Sequence, residues 1–269
     1  MLTPEDPFVS IQAERIRRLE EAAEGFKLTI RHMINDLLRR GRPSTSADED
    51  RLDIFMASSL KACGGYDTLR GLASTLSVEE MSVLLRSFAE LAINASFLQT
   101  SSNIDLKKYM QFDSIAAFTM MNDFLSVVDT PENVPPELFR RTKENALNAA
   151  QESGLKLQHR SVFERAKQVD VRIGGEAFRC FANSVYGHGH VYVHQGYSTL
   201  SWYRHQLRGT QTNAAQARLK QAGNLVFGAA QVLQVLCLFS TKFFAAGSEE
   251  EAERLTLKLN QANAYAGSA

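Results

Sequence analysis

The chain has few cysteines and no excess of charge of either sign, and both features argue against particular classes of protein. Its 269 residues include three cysteines, Cys63, Cys180 and Cys237, which lie far apart without CxxC spacing, so a thiolate zinc site is not expected. Unpaired cysteines in mostly apolar segments are typical of a reducing compartment, and we expect a cytoplasmic location. Lys and Arg together number 30, as do Asp and Glu, so net charge gives no support for nucleic-acid binding.

The N-terminus has no basic stretch followed by an apolar core, so no signal peptide is predicted. The longest uncharged run lies between Lys220 and Lys242 and is long enough to cross a bilayer. Asn224, Gln231 and Gln234 interrupt it, which favours a buried helix of the protein core. We therefore expect no membrane association.

Helical spacing of apolar residues dominates the chain and predicts an all-α fold, a multi-helix bundle. A long N-terminal amphipathic helix, from about Pro7 to Arg40, carries the clearest stripe. The stripe is formed by Ile16, Leu19, Ala23, Phe26, Ile30, Met33 and Leu37. Ile34 and Leu38 widen it beyond a coiled-coil seam, which favours packing on the protein's own bundle. A homodimer through this helix is the alternative.

The polar segment from Gly41 to Asp50 is the best candidate for a linker. It divides the chain into residues 1–42, a packing or dimerisation helix, and residues 43–269, a helical bundle. Ser46 with Glu49 predicts a capping box for the next helix, and Gly64–Gly65 predicts its end.

Further helix boundaries follow from the same signals. Ser-x-x-Glu patterns and prolines indicate where helices begin, and glycine pairs indicate where they end. The predicted starts are Ser77, Asp105, Pro136 and Ser248, the predicted break is Gly174–Gly175, and the uncharged helix is predicted from about Thr212 to Ala246.

The densest chemistry lies between Asn183 and Gly196, where three of the six histidines, His188, His190 and His194, fall within seven positions. Imidazole titrates near neutral pH and is the commonest metal ligand. His190 and His194 would share one face of a helix, so zinc or another transition metal is one alternative. The other is that the glycines interrupt the helix and the histidines form structural hydrogen bonds; with no carboxylate in the stretch, no cofactor is the favoured expectation.

Two further pairs have helical spacing. Arg86 and Glu90 are one turn apart on an apolar helix, and the favoured interpretation is a partly buried ion pair within that helix. The functional interpretation is that Arg86 binds an anion while Glu90 orients a histidine. Ser184 and His188 are also one turn apart, with Tyr186 between them, but no G-x-S-x-G motif supports a serine nucleophile.

Arg86–Ser87 with Glu90, followed by Asn183–Ser184 and His188, resembles an uncharacterised, mostly bacterial family of all-helical domains. The resemblance covers roughly residues 77–245 and implies a fold and a set of polar residues, because that family has no established activity. Helical ribonucleases of toxin–antitoxin systems are a second comparison, but they have an Arg four to six residues before a His. Here Arg179 precedes His188 by nine positions.

Three functions remain open at this point. The first is an effector that acts on RNA or another phosphate-containing substrate through Arg86, Glu90, Ser184, Tyr186 and His188. In it, His188 is the general acid or base and Arg86 the phosphate clamp. The second is a non-catalytic scaffold or interaction module with a buried polar network. The third is a metal-binding protein that uses His188, His190 and His194.

Overall fold

The computed structural model describes residues 6–41, 43–110, 161–186 and 211–265, with isolated positions between 137 and 148. Their regular structure is helical without strands, which confirms the all-α class. The chain divides into two compact units, Met1–Thr100 with Ser161–Ala269, and Ser101–Arg160. The helices are α1 (Pro7–Arg39), α2 (Ser46–Ser74), α3 (Val78–Thr100), α4 (Asn103–Met110), α5 (Val162–Ile173), α6 (Ala177–Phe181), a π-helical turn (Ala182–Tyr186), α7 (Gln211–Phe244) and α8 (Glu249–Asn263).

Helix α1 follows the predicted boundaries and buries the predicted stripe against α7 and α8, except for Ile16, which is half-buried. The Asp6 carboxylate caps its start by accepting from the amide of Phe8 at 2.9 Å. Arg15, only 7% exposed, fixes α1 to the end of α8. Its guanidinium donates to the side chain of Asn263 at 2.6 Å and to the carbonyl of that residue at 3.3 Å. A cation is favourable there, because the C-terminal end of a helix carries partial negative charge.

Helix α7 is the central helix of its unit and packs against α1, α2, α3 and α8. Leu233, Cys237 and Phe239 have no exposed surface, which agrees with the predicted buried helix. Residues 215–244 and α3 are both long and apolar enough to cross a membrane, and 72% and 56% of their most apolar windows are buried inside the protein. This is weak support for a membrane, because core helices of soluble proteins share that composition. The cytoplasmic location stays a prediction.

The predicted end of α2 at Gly64–Gly65 is wrong, because the helix continues to Ser74. At Gly65, a side chain of α3 lies against the backbone of α2. A Cβ at this position would lie 2.1 Å from the ring of Phe88. The N-terminal cap of α2 is Thr45, one residue before the predicted Ser46. Its hydroxyl accepts from the amide of Asp48 at 3.2 Å. The predicted cap at Ser248 is confirmed by its bond from the amide of Glu251 at 3.2 Å.

Helix α5 begins with a capping box formed by Ser161 and Glu164 and ends at Gly174, whose φ of 75° suits glycine. The predicted break at Gly174–Gly175 is confirmed, since α6 begins two residues later. Helix α6 leads directly into the π-helical turn, a feature that is frequent at functional sites.

The unit Ser101–Arg160 is described chiefly at α4, near the helix start predicted at Asp105. The amide of Asp105 donates to the hydroxyl of Ser102, and the amide of Ser102 donates to the carboxylate of Asp105, both at 3.3 Å. The isolated described positions between 137 and 148 are helical. The rest of the predicted helices in this unit lies outside the described residues.

Candidate functional site

A row of three polar residues on α3 faces α5 and the π-helical turn. Arg86, Glu90 and Asn94 follow one another at intervals of one helical turn, so their side chains share one side of the helix. The neighbouring face of α3 belongs to the core, with Leu85 and Ala89 buried. The row is therefore positioned by the apolar packing of α3, and each member is only half-buried.

Arg165 of α5 binds the two C-terminal members of this row, Glu90 and Asn94. Its Nη2 lies 3.3 Å from Oε1 of Glu90, and its Nη1 donates to the side-chain oxygen of Asn94. The Arg165 side chain is 13% exposed, whereas Glu90 is 38% exposed. Its buried Nε has no hydrogen-bond partner among the described residues. Glu90 thus neutralises a cation of the neighbouring helix.

The favoured interpretation of Arg86 and Glu90 as an ion pair within α3 does not describe the observed geometry. Arg86 turns instead to Tyr186, at the end of the π-helical turn. Its Nη2 donates to the tyrosine hydroxyl at 3.2 Å, and its guanidinium carbon lies 5.0 Å from the centre of the ring. Within the described ranges, no carboxylate lies within ion-pair distance of Arg86, so its charge has only a neutral partner.

Ser184 has a local structural task in the described part of the chain. Its hydroxyl donates to the carbonyl of Cys180 at 2.9 Å and lies 3.4 Å from that of Phe181. A serine inside a helix often bonds back to a carbonyl one turn earlier in this way. The hydroxyl of Ser184 is therefore used within the turn that carries Tyr186.

The same hydroxyl borders a small cavity of about 180 Å³ between α6, the π-helical turn and α7. Besides Ser184, its walls include Cys180, Gln231 and Gln234. The side chain of Gln234 donates outward to Thr256 at 3.1 Å. None of the described residues that line this cavity is charged, so it is a poorer place for an anion than the surface beside Arg86.

Asp170 positions the π-helical turn, and the sequence analysis missed it. The carboxylate is 1% exposed and accepts from the amides of Phe178 and Arg179, both at 2.8 Å. It therefore caps the start of α6 from the preceding helix. The only signal in the sequence is an acidic residue on the apolar side of α5, just before the Gly174–Gly175 break.

Phe163 completes the described site. Its ring meets that of Tyr186 edge to face, with centroids 5.9 Å apart and planes at 80°. Phe163 is nevertheless 44% exposed, which is unusual for so large an apolar side chain. The site therefore comprises a cation, a tyrosine and an exposed ring on three different elements.

The three histidines lie outside the described residues. His188 follows Tyr186 by two positions in the sequence, and its distance from Glu90 is not given by the structure. In the part of the chain that is described, no three His, Cys, Asp or Glu side chains are grouped as a metal site. The proposed zinc or transition-metal site of His188, His190 and His194 stays a prediction.

Comparison with known proteins gives one match. The model of a family of unknown function, DUF5677, matches residues 53–211, more than half of the chain. This confirms the predicted membership of an uncharacterised domain family. The matched range contains α3, α5, α6 and the π-helical turn, and so every residue of the site. No curated protein and no solved structure matches the chain.

Proposed function

The chain belongs to the DUF5677 family of unknown function, and from that premise we propose that it binds a phosphate-containing ligand at Arg86. In this proposal the protein is an effector that acts on RNA or another phosphate-containing substrate. Arg86 is the phosphate clamp, Tyr186 holds it, and His188 is the general acid or base.

The observation that carries the proposal is the state of the Arg86 guanidinium. It is half-buried, it is held by a neutral tyrosine, and it has no carboxylate partner in the described ranges. A guanidinium offers several donors in one plane, which match the oxygens of a phosphate. An unpaired cation held in one orientation therefore favours an anionic ligand over a structural ion pair.

The role of Glu90 needs to be narrower than the sequence indicates. Its Oε1 accepts from Arg165, so this oxygen is engaged between the two helices. A contact with His188 would use the other oxygen. The proposal therefore gives Glu90 a positioning role, while Arg86 supplies positive charge to the ligand. Ser184 donates its proton to a backbone carbonyl, so we assign it no nucleophilic role.

One observation favours the scaffold as a second candidate function. Arg165, Glu90 and Asn94 form a half-buried polar network that joins α3 to α5. Fixing the packing of helices can be the sole role of such a network. In that case the polar row on α3 has no ligand, and its members contribute stability alone.

The two candidates are separated by comparing activity and stability in the same variants. We would measure cleavage of a labelled RNA oligonucleotide and urea-induced unfolding for Arg86→Gln, His188→Ala and the control Arg39→Gln. Arg39 is an exposed arginine of α1. The proposed function predicts that Arg86→Gln and His188→Ala abolish cleavage while the free energy of unfolding changes little.

The scaffold predicts no cleavage by the wild-type protein. It also predicts a stability loss of about 1–3 kcal/mol for His188→Ala or for Glu90→Ala, measured in the same way, since removing one member of such a network leaves another polar group unsatisfied. If the wild-type protein cleaves the RNA and Arg86→Gln does so equally well, the site is misassigned. If the wild-type protein binds RNA without cleaving it, the catalytic role of His188 is wrong and the phosphate clamp remains.

A further inference from the structure

We infer that the ligand of this site is an unpaired nucleic-acid strand, one base of which stacks on Phe163. The inference rests on the proposed function and adds the substrate class. Phosphate binding needs only Arg86, whereas this inference concerns the exposed ring beside it.

Phe163 is held in place although it is exposed. It is the second residue of α5, directly after the capping box of Ser161 and Glu164. Its ring is fixed against Tyr186 at a centroid distance of 5.9 Å, and Arg86 fixes Tyr186 in turn. A rigid aromatic ring with 44% exposure offers a flat apolar surface at little cost in conformational entropy.

The charges around the ring are suited to a polyanion. Lys167 lies one turn after Phe163 on α5, it is exposed, and no carboxylate in the described ranges is within ion-pair distance of it. Of the two nearby carboxylates, Glu90 pairs with Arg165. Glu164 accepts from the amide of Ser161 at 2.8 Å and keeps its charge, so Arg86 and Lys167 together leave one positive charge in excess beside the ring. Positive charge near an exposed aromatic ring is the combination that single-strand-binding proteins use.

The arrangement favours an unpaired strand over a duplex. Stacking on a protein side chain requires a base whose face is free, and bases in a duplex are stacked on each other. It also favours a nucleic acid over a small phosphate ion, which would make no use of Phe163. The chain's zero net charge is compatible with this, because the cations concerned are local.

The test measures fluorescence anisotropy with labelled ten-residue oligouridylate and with an abasic strand of the same length and charge. The variants are Phe163→Leu, which keeps an apolar side chain without a ring, and Phe163→Trp, which keeps a ring. Val171→Ala is the control, because Val171 is a 79% exposed apolar residue of the same helix. We expect Phe163→Leu to weaken oligouridylate binding about tenfold, and Phe163→Trp and Val171→Ala to leave it unchanged.

The abasic strand distinguishes the inference from the proposed function. We expect it to bind more weakly than oligouridylate and equally well to the wild-type protein and Phe163→Leu, while Arg86→Gln weakens both strands. If Phe163→Leu binds oligouridylate like the wild-type protein but Arg86→Gln does not, stacking is wrong and phosphate binding stands. Equal affinity of the wild-type protein for both strands would overturn stacking as well. If neither strand binds, both the inference and the RNA substrate fail.

Discussion

The Nη2 atom of Arg86 lies 3.2 Å from the hydroxyl of Tyr186, one hundred residues further along the chain. This contact joins α3 to the π-helical turn and fixes a cation beside an exposed aromatic ring. Because the partner is neutral, the contact positions the guanidinium without cancelling its charge.

Replacing Tyr186 with Phe tests how much this positioning matters. The ring and its contact with Phe163 would remain, while the hydroxyl that accepts from Arg86 would be lost. We expect the affinity for oligouridylate to fall several-fold and the free energy of unfolding to change by about 1 kcal/mol or less. Anisotropy and urea unfolding measure these effects. An affinity as low as that of Arg86→Gln would mean that Tyr186 itself is the main contact.

Replacing Asp170 with Asn tests whether the cap of α6 supports the site. The amide oxygen could accept only one of the two backbone bonds, so a buried donor would lose its partner. We expect urea unfolding to show a loss of about 1–3 kcal/mol, together with weaker ligand binding. The control is Asp53→Asn at an exposed position of α2, which should change stability by less than about 0.5 kcal/mol. Equal stability of the two variants would contradict the proposed cap.

The glycine pair of α2 provides a matched comparison at neighbouring positions. Gly64 has no atom within 4 Å of the place of a Cβ, so Gly64→Ala should stabilise the helix by about 0.5–1 kcal/mol. Gly65→Ala would drive a methyl group into the ring of Phe88 and should cost about 1–3 kcal/mol. Thermal or urea unfolding measures both effects. The cost of Gly65→Ala should shrink in a Phe88→Ala background; a constant cost would rule out this steric explanation.

The raised pKa values of two buried cysteines predict that the stability of the protein depends on pH. Burial raises the pKa of the Cys63 thiol to about 11, and it raises the pKa of the fully buried Cys237 as well. Between the ordinary thiol pKa and about pH 11, the unfolded chain loses protons that the folded protein keeps, so stability falls as pH rises through this window. Urea unfolding at pH 8 and pH 10 should show this decrease, and Cys63→Ala should reduce the difference between the two values. An undiminished difference in Cys63→Ala would assign it to other groups.

The helices that the sequence predicts well are those whose signals are local. The stripe of α1, the cap at Ser248 and the break at Gly174–Gly175 depend on neighbouring residues, and all three are confirmed. The glycine pair of α2 gave a wrong prediction because the contact of Gly65 is tertiary. Gly65 makes room for Phe88 of another helix, and no spacing within α2 indicates it.

The site was predictable only in part for the same reason. Helical periodicity puts Arg86 and Glu90 on one side of α3, but it does not tell which helix that side meets. Glu90 accepts from Arg165, and Arg86 donates to Tyr186. Both contacts depend on how α5 and the π-helical turn pack against α3. The role of Asp170 was not predicted from the sequence. A buried acidic residue does not fit the amphipathic pattern of α5, and the backbone amides that it binds are known only from the structure.

The most direct measurement is a calorimetric titration with pyrophosphate, in low salt, of the wild-type protein, Arg86→Gln and Arg39→Gln. Pyrophosphate carries the phosphate groups without a base, so it tests the Arg86 clamp alone. We predict binding by the wild-type protein and Arg39→Gln, and at least about tenfold weaker binding by Arg86→Gln, since charge-assisted hydrogen bonds would be lost. Equal binding by all three proteins, or none by the wild-type protein, would contradict a phosphate site at Arg86.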